Sequence, residues 1–287
     1  MDHVVYYLHV SINGYDAEVW LNDAPILRTS TAFPWLAFPT VSEWIVQGVN
    51  ELKAVVYRAE RPKEPLLDRR RPIYADPDDE EDDSGVVYKA PDLSPVRLQV
   101  ALCRGQLGGL PDLYNQDILC ALDWSPVPGQ LPELPATATA RRDIVHPFGR
   151  WSWEDAAPIA LDRATMGEIG DVARSIRSYT EGGDVNALAG LMRVKFDEVG
   201  RCYNFSPEEA EEKMRMVYEA VVTPGSFELA EIDPAALDPR LCCGGRVVEV
   251  RNRDGRPAVR QKEPIGDQNW AMPVFLSKVG GQFVIVR

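Results

Sequence analysis

The sequence predicts two domains, an all-β sandwich over residues 1–158 followed by an α+β domain over residues 159–287. Three observations predict this. Apolar residues alternate at period two through the first sixty positions, as in half-buried strands. Helical spacing begins only past residue 162, where Ile169, Val172, Ala173, Ile176 and Tyr179 form one stripe. Strand-like segments then return beyond Pro224-Gly225 and continue to residue 286. A chain of 287 residues suits two domains that each bury a core, and 45% apolar with 26% charged content is globular.

Val4, Tyr6, Leu8, Val10 and Ile12 alternate up to Asn13-Gly14, a hairpin signal. Residues 17–21 (A-E-V-W-L) form the next strand, Asn22-Asp23-Ala24-Pro25 the next turn, and Ile26 and Leu27 begin a third strand. Residues 41–46 (V-S-E-W-I-V) continue the pattern, and Gln47-Gly48-Val49-Asn50 leads into 51–57 (E-L-K-A-V-V-Y). Strands about ten residues apart with polar turns between them indicate a sandwich or barrel. The pattern N-G-x-x-x-x-V-x-L-N, followed by W-I-x-x-G-x-N-E-L-x-x-x-V, resembles the jelly-roll modules of galactose-binding type over about residues 3–58. The resemblance implies a fold rather than a sugar site, because that family's sugar-binding loop residues have no counterparts here. Within it, Gly48 supplies an unusual backbone angle, Asn50 bonds its own turn and Leu52 enters the core.

Residues 60–95 break the pattern as an insertion. Arg69-Arg70-Arg71 precedes residues 76–83, which place seven carboxylates in eight positions. Such a block repels itself and has nothing apolar to bury, so a solvated loop is expected. Asp78, Asp79, Glu80, Glu81, Asp82 and Asp83 are also the candidate docking surface for a basic partner. Strand pattern resumes at 96–102, a loop rich in Gly, Pro and Leu is expected over 105–135, and Ile144-Val145 follow. Phe148, Trp151 and Trp153 are expected to close the sandwich and form the domain interface.

In the second domain, Glu181-Gly182-Gly183-Asp184 stops the first helix and caps the next, whose apolar face carries Leu188, Leu191 and Met192. Ser206-Pro207-Glu208-Glu209 is a capping box that launches a third helix through Val222. Strands are expected at 226–232, 241–251, 257–262 (across the Asp254-Gly255 hairpin), 270–278 and 282–286. Three helices followed by antiparallel strands resemble the NTF2-like (SnoaL-like, cystatin-like) cone. The stretch Y-T-E-G-G-D-V-N-A-L-A-G-L-M (179–192) resembles that family's step between its first two helices. G-G-Q-F-V-I-V resembles its usual finish, with Phe283 in the place of a tryptophan. The implied fold is a set of helices packed on a curved antiparallel sheet, with a deep pocket and an exposed sheet face suited to homodimers or partners.

A net charge of −13 gains nothing from the counterion release that drives nucleic-acid binding, and it disfavours anionic membrane surfaces. It is compatible with a basic protein partner. No apolar run approaches the roughly 18–20 residues of a membrane helix. The N-terminal residues lack the pattern of a signal peptide, so a cytoplasmic location is expected. Five cysteines, an odd count without a C-x-x-C, suggest buried free thiols rather than disulfides or a zinc site. No metal ligand set and no cofactor motif is found: the chain has no G-x-S-x-G elbow, Walker loop or H-E-x-x-H.

Enzymes on the NTF2-like cone do acid–base work in the pocket, commonly with an inward Asp, His, Tyr or Arg. All three histidines here (His3, His9 and His146) lie in the first domain, so the usual base is missing from the second. Asp197, Glu249 and Glu263 are the carboxylates that could replace it. Tyr203, Tyr218 and Trp270 are the remaining pocket candidates. No catalytic residue is assigned. The leading expectation is a non-catalytic binding or interaction protein, of bacterial accessory or immunity type, with a basic protein partner. The alternatives are a small-molecule isomerase, hydrolase or dehydratase using a cone carboxylate, and a carbohydrate-binding accessory module. The interior of the cone discriminates: an inward carboxylate beside a tyrosine or arginine favours the enzyme, apolar filling disfavours it.

Overall fold

A computed structural model describes residues 3–28, 35–58, 97–108, 117–127, 129–221, 228–263 and 270–287. The expected insertion at 60–95, including Asp78, Asp79, Glu80, Glu81, Asp82 and Asp83, lies outside the described residues. The described chain is rich in antiparallel β-sheet, with three α-helices in the C-terminal part.

The alternating run at the start forms β1 (Val4–Asn13), which turns Tyr6, Leu8, Val10 and Ile12 into the core. β2 (Tyr15–Leu21) follows. The left-handed pair Asn22 and Asp23 (φ 53° and 62°) then makes a tight hairpin to β3 (Ala24–Arg28). The remaining strands of this half are β4 (Trp35–Ala37), β5 (Gly48–Arg58), β6 (Arg97–Gln106), β7 (Asp117–Trp124) and β8 (Ala136–Ile144). They form two four-stranded sheets, ordered β4-β1-β6-β7 and β3-β2-β5-β8, whose inward residues share one hydrophobic cluster.

Entry into β5 depends on Gly48 and Asn50. Gly48 sits at φ +94°, where a side chain would be strained. The buried Asn50 amide accepts from Val46 N–H and Asn22 Nδ2 (2.9 and 2.8 Å) and donates to the carbonyls of Val46 and Gly48 (2.8 and 2.9 Å). Leu52 is fully buried beyond it.

Two expectations for this half need correction. Residues 41–46 do not continue the strands: Ser42–Trp44 is a 3-10 turn, held because Ser42 Oγ accepts the Tyr6 N–H at 2.9 Å. The expected loop at 105–135 contains β7, an edge strand that contributes only Leu122 as a buried core residue and so alternates weakly.

In the second half, α1 (Arg163–Gly182) starts where Asp162 accepts the Thr165 N–H at 2.8 Å, and α2 (Val185–Tyr203) where Asp184 accepts the Ala187 N–H at 3.0 Å. α3 (Pro207–Val221) starts at the reciprocal Ser206–Glu209 box, with bonds of 3.1 and 2.6 Å. The strands are β9 (Arg240–Cys242), β10 (Val247–Glu249), β11 (Val259–Arg260), β12 (Ala271–Met272), β13 (Phe275–Val279) and β14 (Gln282–Ile285). One sheet is ordered β14-β13-β10-β9, and β11 pairs with β12 in a second.

These strands are shorter than expected. The run 241–251 is split by a turn in which Cys243, Gly244 and Gly245 all have positive φ. The run 270–278 breaks at Pro273, which has no N–H for a ladder. The Asp254-Gly255 turn joins only an isolated bridge, Arg251 to Pro257, and β11 takes β12 as its partner. Residues 226–227 lie outside the described residues, and of the expected strand at 226–232 only a bridge from Leu229 to Gln261 forms.

The four-stranded C-terminal sheet packs a core against each of its faces, while its edge strand β9 exposes Leu241. Val248, Leu276 and Ile285 join the helices in a second core cluster, while their neighbours Val247, Phe275 and Val286 join the cluster of the first half. Phe275 packs edge-on against Trp44 with ring centroids 5.0 Å apart. The sheet face expected to be open to a homodimer is therefore packed against the chain's own first half.

Candidate functional site

Leu188, Met192 and Lys195 fall at i, i+4 and i+7 of α2 and share one face. That face meets Met214, Val217 and Tyr218 of α3 across a cavity of about 420 Å³, closed on a third side by Trp270, Met272 and Pro273. The volume lies in the roughly 300–1,000 Å³ range of ligand pockets. The Trp270 backbone is tied to Gln261, whose N–H donates to the Trp270 carbonyl at 2.8 Å. The Tyr218 hydroxyl donates to the Thr180 carbonyl, and burial pushes its pKa up.

Two of the sequence candidates, Tyr218 and Trp270, line this cavity. The other four do not. Tyr203 donates to Glu43 Oε2 at 2.6 Å at the contact between the halves, and burial raises its pKa far above the phenol range. Asp197 and Glu263 are exposed. Glu249 is buried, pairs with Arg28 of the first half at 3.0 Å, and faces a separate cleft of about 380 Å³ beside Trp44 and Phe275. No carboxylate or histidine is among the described residues lining the main cavity.

The charged groups of the cavity are instead Lys195 and Lys213. Lys195 is partly buried, and burial holds its pKa below the usual lysine value; Glu43 opposes that shift and Arg287 adds to it. Lys213 is exposed on α3, with its ammonium 4.3 Å from the Phe205 ring centre. The signal for Lys195 was a cation at core spacing from Leu188 and Met192.

Phe148, Trp151 and Trp153 are all buried. The Trp151 Nε1–H donates to the Ile45 carbonyl at 2.7 Å, and Arg201 and Arg287 lie 5.2 and 5.0 Å from its ring centre. Beneath it is a buried pair, Arg287 with Glu198. His146 stacks on Trp151 at 5.7 Å, and its Nδ1 accepts the Phe148 N–H at 3.2 Å.

Burial, then Arg201, lowers the His146 pKa. A folded-state pKa below the unfolded one means the stability is full above the unfolded value of about 6.5 and declines as pH falls through the lowered one. Urea midpoints should drop across that window. The drop should shrink in His146→Asn, which keeps an acceptor for Phe148 but cannot titrate. An equally steep fall in that variant would assign the effect to other groups.

In two larger clefts most of the charged side chains are paired internally. In one, of about 460 Å³, Arg141 pairs with Glu51 (2.6 Å), Arg150 with Asp155 (2.8 Å), and Arg246 donates to the Ala156 carbonyl (3.1 Å). In the other, of about 990 Å³, Arg28, Arg251 and Arg256 face Glu18, Asp238 and Asp254. Among the described residues no group of three or more His, Cys, Asp or Glu is placed to hold a metal ion. All five cysteines are free, and burial pushes the Cys103 and Cys242 thiols up to about 11 and about 12, far from a reactive thiolate. No helix among the described residues is long and apolar enough to cross a membrane. The chain matches no protein-family profile, no curated protein and no solved structure.

Proposed function

We propose that this is a non-catalytic binding protein that holds a small apolar molecule between α2, α3 and β12. In this reading the first half is a jelly-roll-like sandwich and the second an NTF2-like cone. The supporting observation is the cavity of about 420 Å³, walled by Leu, Met, Phe, Val and Trp side chains without a described carboxylate or histidine. General acid–base chemistry needs a group that trades a proton near neutral pH. Tyr218 has its hydroxyl committed to a backbone carbonyl and its pKa raised, so it does not serve. A lysine of lowered pKa can form an imine with a carbonyl compound, but turnover then needs a proton-transfer partner that the described lining lacks. For any macromolecular contact, the net charge of −13 favours a basic protein over nucleic acid.

Titration with Nile red, a neutral apolar dye, tests the reading. Saturable fluorescence is expected for the full chain, with weakened binding in Ala271→Trp, where a ring at an exposed lining position obstructs the cavity. Equal signal in both proteins would place the dye elsewhere and sink the proposal.

A further inference from the structure

We infer that the ligand is an amphipathic monoanion, an apolar chain or ring ending in a carboxylate, whose head is held by Lys195 with its body on the apolar wall. This rests on the binding reading and adds the ligand's charge and its orientation.

Three observations carry it. First, the cavity charge is opposite in sign to that of the chain: two lysines line it in a protein of net charge −13. A wall that reflected average composition would carry carboxylates. Second, Lys195 forms no ion pair or hydrogen bond among the described residues, although it is partly buried and lies on the apolar stripe of α2. An ammonium partly removed from water without a bonded counter-ion is costly, and an incoming anion offsets that cost where a neutral ligand increases it. Third, at Lys195 burial outweighs the favourable charge of Glu43, so the ammonium gains from a further anion. Arg287 acts against its ammonium, and Glu43, which acts for it, is already bonded by Tyr203.

The head is set as a single carboxylate by the match of one partly buried cation to one charge. Lys213, exposed at the α3 side, adds a long-range attraction that salt weakens. The apolar body follows from Leu188 and from Met192, Met214 and Met272, three methionines whose flexible thioethers adapt to the shape of the guest.

The test is calorimetric titration of the full chain with decanoate, decanol and decyltrimethylammonium, which share one apolar body. Decanoate should bind about tenfold more tightly than decanol, the increment of one charge-assisted hydrogen bond, and the cation most weakly. Lys195→Met should bring decanoate down to the level of decanol, whereas Lys195→Arg should keep the preference. Equal affinity of decanoate and decanol in the unaltered protein overturns the inference without any variant. So does a decanoate preference that survives Lys195→Met. If decanol and Nile red bind but decanoate gains nothing, the charge assignment fails and the binding reading stands. If none of the probes binds, both fail.

Discussion

Arg287→Met is expected to cost the protein about 3–5 kcal/mol of stability, because it leaves the Glu198 carboxylate buried without its main partner. Arg287 and Glu198 are 5% and 2% exposed, and the guanidinium donates to Glu198. Its Nε and Nη2 also donate to the Glu43 carbonyl at 2.9 and 2.6 Å, and its plane lies over Trp44 and Trp151. Methionine restores some of the packing but none of these donors. Glu198 then keeps the Ser152 N–H at 2.6 Å and a distant Arg201 at 3.8 Å, too little for a buried charge. The cost is one of isolation rather than of lost attraction. Arg287→Met combined with Glu198→Met should therefore recover most of it, since apolar replacement of both members of a buried pair is nearly neutral. Urea unfolding of the two single variants and the double variant closes the cycle. A single-variant loss below about 1 kcal/mol, or a double variant that is simply additive, would show that the pair does not work this way.

That pair was not legible in the sequence, and the reason is general. Glu198 and Arg287 are 89 residues apart, and nothing local to either marks it as buried. What was legible is what neighbours in sequence decide. Asn22-Asp23 makes a turn, Asp162, Asp184 and Ser206 start helices, and Gly48, Asn50 and Leu52 turn the chain into β5, each through bonds that span a few residues. Strand boundaries in the second half were harder. A sheet covered on both faces has apolar residues at successive positions, so Val247, Val248 and Val250 show no alternation to locate its limits. The edge strand β7 failed for the opposite reason, having too little burial to leave a pattern.

The cavity divided the same way. Tyr218 and Trp270 could be named because large aromatic residues are the usual liners, yet Asp197, Glu249 and Glu263 do not reach it. Strand alternation cannot rank carboxylates when β10 has no solvent face. Lys195 does not stand out in the sequence, although its spacing from Leu188 and Met192 is readable there. A lysine at core spacing is ordinarily one whose stem crosses the surface, and only the packed helices show a cavity behind it.

Because α2 and the C-terminal sheet contribute Cys202, Val247, Phe275 and Val286 to the cluster of the first half, loss of the ring at its centre should be felt by both halves. Trp151→Ala is expected to cost about 3–5 kcal/mol, the usual consequence of removing a large buried aromatic side chain. Trp151 is 0% exposed and holds the Ile45 carbonyl through its Nε1–H. Its ring stacks on Phe148 and His146 at 5.9 and 5.7 Å and underlies the guanidinium groups of Arg201 and Arg287. Trp151→Phe keeps much of the ring but orphans the carbonyl, so a smaller loss of about 1–3 kcal/mol is expected. The order of the two variants thus separates volume from hydrogen bonding. The shape of the transition separates a shared core from two independent ones. With a shared core, the helical signal of α1, α2 and α3 and the aromatic signal of the sheets should shift together in Trp151→Ala. A helical transition that keeps its midpoint while the aromatic one moves would mean that the halves are stable separately, with Trp151 serving the first alone.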